Sequence, residues 1–280
     1  DAGPPILLLD VRGPITDFDD PGLLGTGTES TVARVREQLA RAEAQRVRGV
    51  LLRIDSPGGG ASASEMIYRN LLAFKQRTRV PVVAQLMGTA ASGGYYVAMA
   101  ADEIQAYPTT VTGSIGVIML GLNFSGLMEK LGIENQTFTS GAFKDAGSPL
   151  REMRADERAY IQAITDDLHA RFREVVQAGR PKLSPERIAT LADGRVYVAS
   201  QALEHGLIDR IGAIEDAVAR VQELAGVPKA RVVSYHRPSE YRNNLYTRSP
   251  QAPVLQIDLG QLLGPLPRPG FHYLWLPSVD

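Results

Sequence analysis

A serine within a glycine-rich run is the feature of this sequence best suited to chemistry. Ser92 lies between a strand-like apolar run, Val80 to Leu86, and a small-residue helix predicted from Tyr95 to Ala101. A strand-to-helix turn presents the unpaired N–H groups and positive dipole end of the helix, where negative charge on a substrate carbonyl would be stabilised. Ser92 is therefore a candidate nucleophile. The alternative is a serine that only caps a buried helix, beside glycines that allow close packing.

Three successive glycines form a second candidate element of the site. A strand-like run from Gly49 to Ile54 leads into Asp55-Ser-Pro-Gly58-Gly59-Gly60. Because glycine has no Cβ, backbone N–H groups in such a run can approach a ligand closely. They could donate to an oxyanion. The same triplet also suits a flexible turn before the helix predicted from Ala63 to Phe74.

The scarcity of lysine narrows the choice of a base for Ser92. The chain has five lysines against twenty-five arginines. Arginine stays protonated at any useful pH, whereas a buried lysine can lose its proton. Four of the lysines lie at predicted helix ends or next to proline and are expected to be solvated. Lys144 lies among small and apolar residues between Ser140 and Pro149, which makes it the candidate base, with a surface loop cation as the alternative.

Three motifs follow one another in an order that is familiar from a known family. They are Ala91-Ser92-Gly-Gly-Tyr-Tyr96, Gly113-Ser114-Ile-Gly-Val117 and Gly141-Ala-Phe-Lys144-Asp-Ala-Gly147-Ser-Pro-Leu-Arg-Glu-Met153. With these motifs the chain resembles the signal peptide peptidase A family, the S49 serine peptidases, which have a crotonase-like fold similar to that of the Clp protease subunit. The resemblance covers the sequence from about Pro5 to Val218.

The resemblance implies a catalytic dyad of Ser92 and Lys144. It also implies that Ser114 orients the lysine amine by a hydrogen bond. In this chemistry neutral Lys144 takes the hydroxyl proton as Ser92 attacks a peptide carbonyl, and returns it to the leaving amine. A lysine side chain is normally charged, so the role requires that Lys144 be desolvated by burial.

The same resemblance implies an oxyanion hole to which the run from Asp55 to Gly59 contributes. The N–H of Gly93 and an N–H of Gly58 or Gly59 would hold the developing negative charge. The apolar, glycine-containing surroundings suggest an extended apolar peptide as substrate, and the resemblance implies signal-peptide remnants at the membrane.

Helical and strand-like patterns alternate along most of the chain. They predict an α/β fold of the crotonase and Clp protease type, with repeated ββα units, a mainly parallel sheet and flanking helices. The middle of the chain is predicted to contain a strand at Ile115 to Met119, a helix at Phe124 to Leu131 capped by Asn123, and a strand at Glu134 to Thr139. A long helix follows at Asp156 to Gln177, with an apolar stripe that indicates core or interface.

Residues 1–228 are predicted to form the peptidase domain, and residues 229–280 a C-terminal strand followed by a tail rich in proline and aromatic residues. Prolines exclude a regular helix late in this tail. Its usual interpretation is a disordered or loosely docked segment. Exposed Phe271, Tyr273, Leu274 and Trp275 would be unusual on a monomer, however, and indicate docking on a neighbouring subunit.

Composition excludes several function classes. The 280 residues carry a net charge of −1, which gives no overall field to hold nucleic acid or an anionic membrane. The absence of cysteine excludes disulfides and thiol chemistry, and the four histidines are widely scattered with no metal-ligand spacing. We therefore expect no cofactor, no metal and no nucleic-acid partner.

Assembly and location are predicted from the needs of the site and from the resemblance. A neutral lysine requires a dry cleft, which a single sheet face does not enclose, so we expect a closed homo-oligomer, a ring or dome whose subunits complete each other's grooves. The resemblance implies an N-terminal membrane anchor that this sequence does not include, with the catalytic domain on the extracytoplasmic side of the cell membrane.

Two other function classes remain open at this point. One is an acyl-CoA hydratase or thioesterase of the same fold, which would also use glycine oxyanion donors but would need an adenine-nucleotide site and catalytic carboxylates. The other is a non-catalytic peptide-binding scaffold subunit whose dyad is not assembled in the monomer. Labelling with a fluorophosphonate, with and without Ser92, separates the three.

Overall fold

The structure is a computed structural model that describes residues 3–19, 29–235 and 270–275. The described strands are β1 (Pro5–Arg12), β2 (Gly49–Ser56), β3 (Gly58–Gly60), β4 (Val82–Ala91), β5 (Glu103–Ala106), β6 (Val111–Gly113), β7 (Ile118–Met119), β8 (Val196–Val198), β9 (Arg210–Ile211), β10 (Arg231–Val233) and β11 (Phe271–Leu274). The described helices are α1 (Thr31–Ala44), α2 (Ala61–Thr78), α3 (Gly93–Ala98), α4 (Ser125–Lys130), α5 (Ala155–Gly179), α6 (Pro185–Leu191), α7 (Ala199–Glu204) and α8 (Ile214–Leu224).

A mainly parallel sheet forms the centre of the fold, as the alternating pattern predicts. Its strands run in the order β10-β1-β2-β4-β5-β9, with β6 paired to the far end of β4 and β8 paired to β6. Every described pair in this sheet is parallel except β6 with β8. The central strands β1, β2 and β4 are buried almost throughout, because elements packed on both faces exclude water. Their carboxyl ends therefore meet along one edge of the sheet.

The middle of the chain corrects the predicted elements. The strand predicted at Ile115 to Met119 is reduced to β7, and the stretch predicted as a strand at Glu134 to Thr139 has no regular structure and is exposed. Among the described residues that stretch pairs with no strand, so its β-type pattern alone is not sufficient. The predicted N-cap is also shifted by one residue: Asn123 accepts a hydrogen bond from the Ser125 N–H at 2.8 Å, and Phe124 occupies the cap.

A second, small sheet contains the C-terminal segment. Strand β11 lies between β3 and β7 and is antiparallel to both. This corrects the expectation of exposure for Tyr273, which is only 2% exposed and packs within its own chain, whereas Phe271, Leu274 and Trp275 are partly buried. The residues between 236 and 269, where the proline-rich part of the tail begins, lie outside the described residues.

The two halves of the long helix α5 differ in how deeply they are buried. Its C-terminal half, with Phe172, Val175 and Val176, is buried in the main core, whereas Tyr160 near its start is 51% exposed. The apolar stripe is thus core at one end and accessible surface at the other in the single chain. No helix among the described residues is long and apolar enough to cross a bilayer.

Candidate active site

Ser92 occupies the sharp turn between β4 and α3. Its backbone has φ +52° and ψ −116°, a conformation that is uncommon and strained for a residue with a side chain. Two hydrogen bonds hold it there: the Ser92 N–H donates to the Gly113 carbonyl at 2.7 Å, and the Ser92 carbonyl accepts from the Tyr96 N–H at 2.9 Å. The elbow predicted from the sequence is therefore present, with strain of the kind that occurs at functional sites.

The Ser92 hydroxyl is buried but unpaired. The residue is 1% exposed, and its Oγ has no hydrogen-bond partner among the described residues. It makes no capping hydrogen bond to α3, so the alternative of a purely capping serine is not supported. Leaving a buried hydroxyl unpaired costs about 1–3 kcal/mol, and such a group calls for a functional explanation.

Two of the predicted oxyanion glycines lie against each other beside Ser92. A Cβ built on Gly58 would lie 2.6 Å from the backbone nitrogen of Gly93, and a Cβ built on Gly93 would lie 3.1 Å from the Gly58 Cα. Gly58 also has φ +98°, a conformation that favours glycine. No other residue type fits this corner without displacing the backbone.

The two N–H groups of the glycine run have different surroundings. The Gly58 N–H donates to the Ser56 hydroxyl at 3.1 Å, and that hydroxyl donates to the Gly13 carbonyl at 2.6 Å. The Gly58 N–H is therefore already used. Gly59 is the other predicted donor in this run. It lies in strand β3, opposite Tyr273 of strand β11.

The structure brings Ser114 next to Ser92. Strands β4 and β6 pair in register with Ala91 opposite Gly113, so the two serines directly follow paired residues. Ser114 is 7% exposed, has φ +50° and donates its N–H to the Arg195 carbonyl at 2.8 Å. Both serines thus occupy strained turns at the same edge of the sheet.

Lys144 is not brought into contact with either serine. It lies in a turn between α4 and α5, its side chain is exposed, and its amine has no hydrogen-bond or ion-pair partner among residues 3–19, 29–235 and 270–275. The expectation that Lys144 is buried is therefore wrong for the single chain. Its role as the base stays a prediction.

The turn that carries Lys144 is nevertheless anchored. Arg151 binds both carboxylate oxygens of Asp145, each at 2.8 Å, and also pairs with Glu157 in the first turn of α5. Hydrogen bonds from Arg151 hold the pKa of Asp145 and that of Glu157 below their usual ranges. In the sequence Arg151 is recognisable only as part of the third motif. Its anchoring role depends on ion pairs with Asp145 in the turn and Glu157 on α5, which the sequence does not show.

A charged network lies next to the nucleophile and was not predicted. Tyr96, four residues after Ser92, donates its hydroxyl hydrogen bond to Glu65 on α2, and Arg171 on α5 pairs with Glu65 at 3.0 Å. Burial acts to raise the pKa of Glu65, but hydrogen bonds from Tyr96, Arg69 and Arg171 outweigh it and hold the pKa below the usual range. The network joins α2, α3 and α5. Its only sequence signal is a glutamate on the buried side of a helix.

The fold agrees with comparisons to known proteins. Residues 23–112 match the Clp protease family and residues 74–228 match Peptidase family S49. A protein of Enterococcus faecium named signal peptide peptidase SppA is 38% identical over 230 residues, which cover 82% of this chain and 66% of the relative. The chloroplastic serine protease SPPA of Arabidopsis thaliana is 33% identical over 201 residues, which cover 70% of this chain and 29% of the relative.

A solved structure supports the fold in the same way. The membrane-bound stomatin-specific protease 1510-N aligns with a TM-score of 0.52 at 16% identity, over 84% of this chain and 99% of that one. The fold and the family match place this chain in the Clp-like class of domains. Within that class the chain belongs to peptidase family S49. It spans just under two thirds of the Enterococcus relative and less than a third of the plant one.

Proposed function

We propose that this protein is a serine endopeptidase that hydrolyses extended apolar peptides, with Ser92 as nucleophile and Lys144 as general base. The observation that carries the proposal is the Ser92 hydroxyl, which is buried, unpaired and held at a strained elbow beside two abutting glycines. A hydroxyl in this position is costly for stability and useful for attack on a carbonyl.

The oxyanion formed in the attack would be held by backbone donors. Gly93 is the first residue of α3, where N–H groups have no partner within the helix. Gly59 would supply the second donor, since the Gly58 N–H is already bound to Ser56. Two preorganised donors of this kind contribute much of the rate enhancement in acyl transfer, about 2.7–4 kcal/mol for one donor.

The base would complete the site only after the Lys144 turn is covered. Lys144 is exposed in the single chain, while a lysine that accepts a proton must be desolvated. The segment around it carries a group of exposed apolar side chains, namely Leu122, Leu127, Leu131, Ile133, Phe138 and Phe143. We propose that a closed homo-oligomer, a ring or dome, buries these side chains together with Lys144, and that Ser114 then orients the amine.

The substrate and the location are proposed from the relatives. One relative is named as a signal peptide peptidase, so signal-peptide remnants are the proposed substrates, and the proposed place of action is the extracytoplasmic side of the cell membrane.

Active-site labelling tests the proposal most directly. A fluorophosphonate probe should label the purified protein and should not label the Ser92→Ala variant, because the probe reports a serine activated for attack. Equal labelling of both proteins would contradict Ser92 as nucleophile. Light scattering on the same samples should give a mass several times that of one chain. A fully active monomer would contradict the assembly.

A further inference from the structure

Strand β11 lies where a peptide would lie in the proposed active site. In its register His272 is opposite Gly60, Tyr273 is opposite Gly59 and Leu274 is opposite Gly58. On its other side Phe271 is opposite Met119 and His272 is opposite Ile118. The extended segment thus pairs on one side with the glycine run proposed for the oxyanion hole.

The carbonyl of Tyr273 enters the corner between the two abutting glycines. A Cβ built on Gly58 would lie 1.9 Å from the Tyr273 carbonyl oxygen, and a Cβ built on Gly93 would lie 3.0 Å from the same oxygen. Beyond it, the Trp275 N–H donates to the Pro57 carbonyl at 2.8 Å. The carbonyl of one particular residue in the segment is therefore placed where a scissile carbonyl would be polarised.

The side chain of Tyr273 fills an aromatic pocket. Its ring stacks on Tyr96 with centroids 5.0 Å apart and packs against Phe172 with centroids 4.8 Å apart. The hydroxyl donates to the Leu168 carbonyl at 2.9 Å, and burial raises the pKa of Tyr273 to about 12. The pocket thus has aromatic walls and one polar acceptor at its end, which fits a tyrosine better than an aliphatic side chain.

We propose that the site takes an extended peptide with a tyrosine immediately before the scissile bond, and that this protein's own segment Phe271–Leu274 holds that place when substrate is absent. The inference rests on the proposed peptidase function and names its substrate class. The segment makes the backbone pairing and the pocket contact that such a peptide would make, so peptide and segment compete for one groove.

Peptide binding to variants that cannot turn over tests this proposal without relying on catalysis. The probe is a fluorescein-labelled peptide with the sequence Gly-Phe-His-Tyr-Leu-Trp, and the proteins are full-length Ser92→Ala with and without Tyr273→Ala. The loss of the tyrosine anchor frees the groove, so the double variant should bind the peptide about tenfold more tightly in fluorescence anisotropy, since apparent affinity scales with the fraction of open sites. Equal affinities would overturn the proposal.

Matched controls separate this effect from general loosening. Tyr235→Ala removes another partly buried tyrosine, which bonds Gln45 far from the site, and should leave the affinity unchanged. Tyr273→Phe keeps the ring and loses only the bond to Leu168, so it should give a smaller change in the same direction even if Tyr273→Ala folds poorly. A peptide with alanine in place of tyrosine should bind at least about tenfold more weakly, and equal binding of the two peptides would overturn the pocket assignment.

Activity measurements distinguish a failure of this inference from a failure of the proposed peptidase function. With Ser92 present, Tyr273→Ala should raise kcat/KM several-fold on a short tyrosine-containing peptide. Unchanged kcat/KM in an active enzyme would overturn the inference and leave the peptidase function standing. If no protein with Ser92 cleaves peptide or takes the fluorophosphonate label, the peptidase function fails, and the binding difference alone decides whether the segment occupies a peptide groove.

Discussion

The nucleophile side and the base side of the proposed site differ in how the chain supports them. Ser92, Ser114 and the abutting glycines lie at the carboxyl edge of a buried parallel sheet, and backbone hydrogen bonds fix each turn. Lys144 lies in an exposed turn outside the sheet, held through the ion pairs of a neighbouring residue. One side is completed by the core of the chain, whereas the other needs a further surface to become dry.

The difference shows which parts of a fold can maintain a strained backbone and which can desolvate an amine. A strained backbone persists only where the surrounding structure determines it fully, and a buried sheet edge provides that support. Desolvation of an amine requires apolar area on every side, which a turn between two helices does not have by itself. The first requirement is met within one chain and the second one is not.

The largest expected effect is on the nucleophile side. Ser92→Ala should lower kcat/KM for peptide cleavage by more than about a thousandfold, because no other hydroxyl replaces the attacking group. The melting temperature should stay the same or rise, since an unpaired buried hydroxyl is removed. Ser184→Ala is the opposite control: it removes the N-cap of α6 and should cost about 1 kcal/mol of stability with activity retained. A stable and fully active Ser92→Ala protein would exclude this mechanism.

A comparably large effect is expected from the base. Lys144→Arg and Lys144→Ala should lose activity equally, because a guanidinium stays protonated and cannot accept the serine proton. Lys182→Ala, in the exposed turn after α5, should keep full activity. Steady-state kinetics of the three variants decide the point, and an active Lys144→Arg enzyme would remove the dyad.

Dilution of the protein tests whether the Lys144 side of the site needs a neighbouring copy of the chain. If a neighbouring copy dries the Lys144 turn, specific activity should fall as the protein is diluted below its assembly range, while the melting transition of the core sheet persists. Activity and light-scattering mass measured over the same dilution series check this. Constant specific activity in a sample of monomers would mean that one chain completes both sides by itself.

A smaller effect is expected from Ser114. Ser114→Ala should reduce kcat about tenfold to a hundredfold, as it removes a hydrogen bond of about 1.5–3 kcal/mol to a charged or polarised partner. The Ser114 turn is held by a backbone bond to Arg195, which the substitution leaves in place. The pH profile of kcat should therefore change along with its magnitude, whereas a loss caused only by misfolding would appear in the melting curve.

The smallest effect concerns the anchor of the base side. Hydrogen bonds from Arg151 depress the pKa of Asp145 and that of Glu157, so their stabilisation is complete above the ordinary carboxyl range, near pH 4, and is lost as the pH falls through the depressed values. Amide hydrogen exchange in residues 141–151 should therefore accelerate below about pH 4 before the core sheet opens. Arg151→Ala should show the same fast exchange at neutral pH.

Sequence reasoning succeeded where the determinants are local and failed where they are distant. The Ser92 elbow follows from an apolar strand, a small-residue turn and a helix that are adjacent in the chain. The exposure of Lys144 depends on which distant surfaces reach its turn. The segment predicted as a strand at Glu134 to Thr139 pairs with no strand among the described residues, and its local pattern does not show whether a partner strand is present. The seating of Tyr273 could not be predicted, because its walls, Tyr96 and Phe172, come from elements far away in the chain.

The position of Trp275 has an optical consequence. It is the single tryptophan of the chain, and its backbone is tied to Pro57 at the mouth of the proposed groove. The tryptophan fluorescence of this protein therefore comes from one indole directly after β11. Its emission should shift to the red when a peptide displaces the strand and the indole meets water, so an unlabelled sample carries its own signal for an open or filled groove.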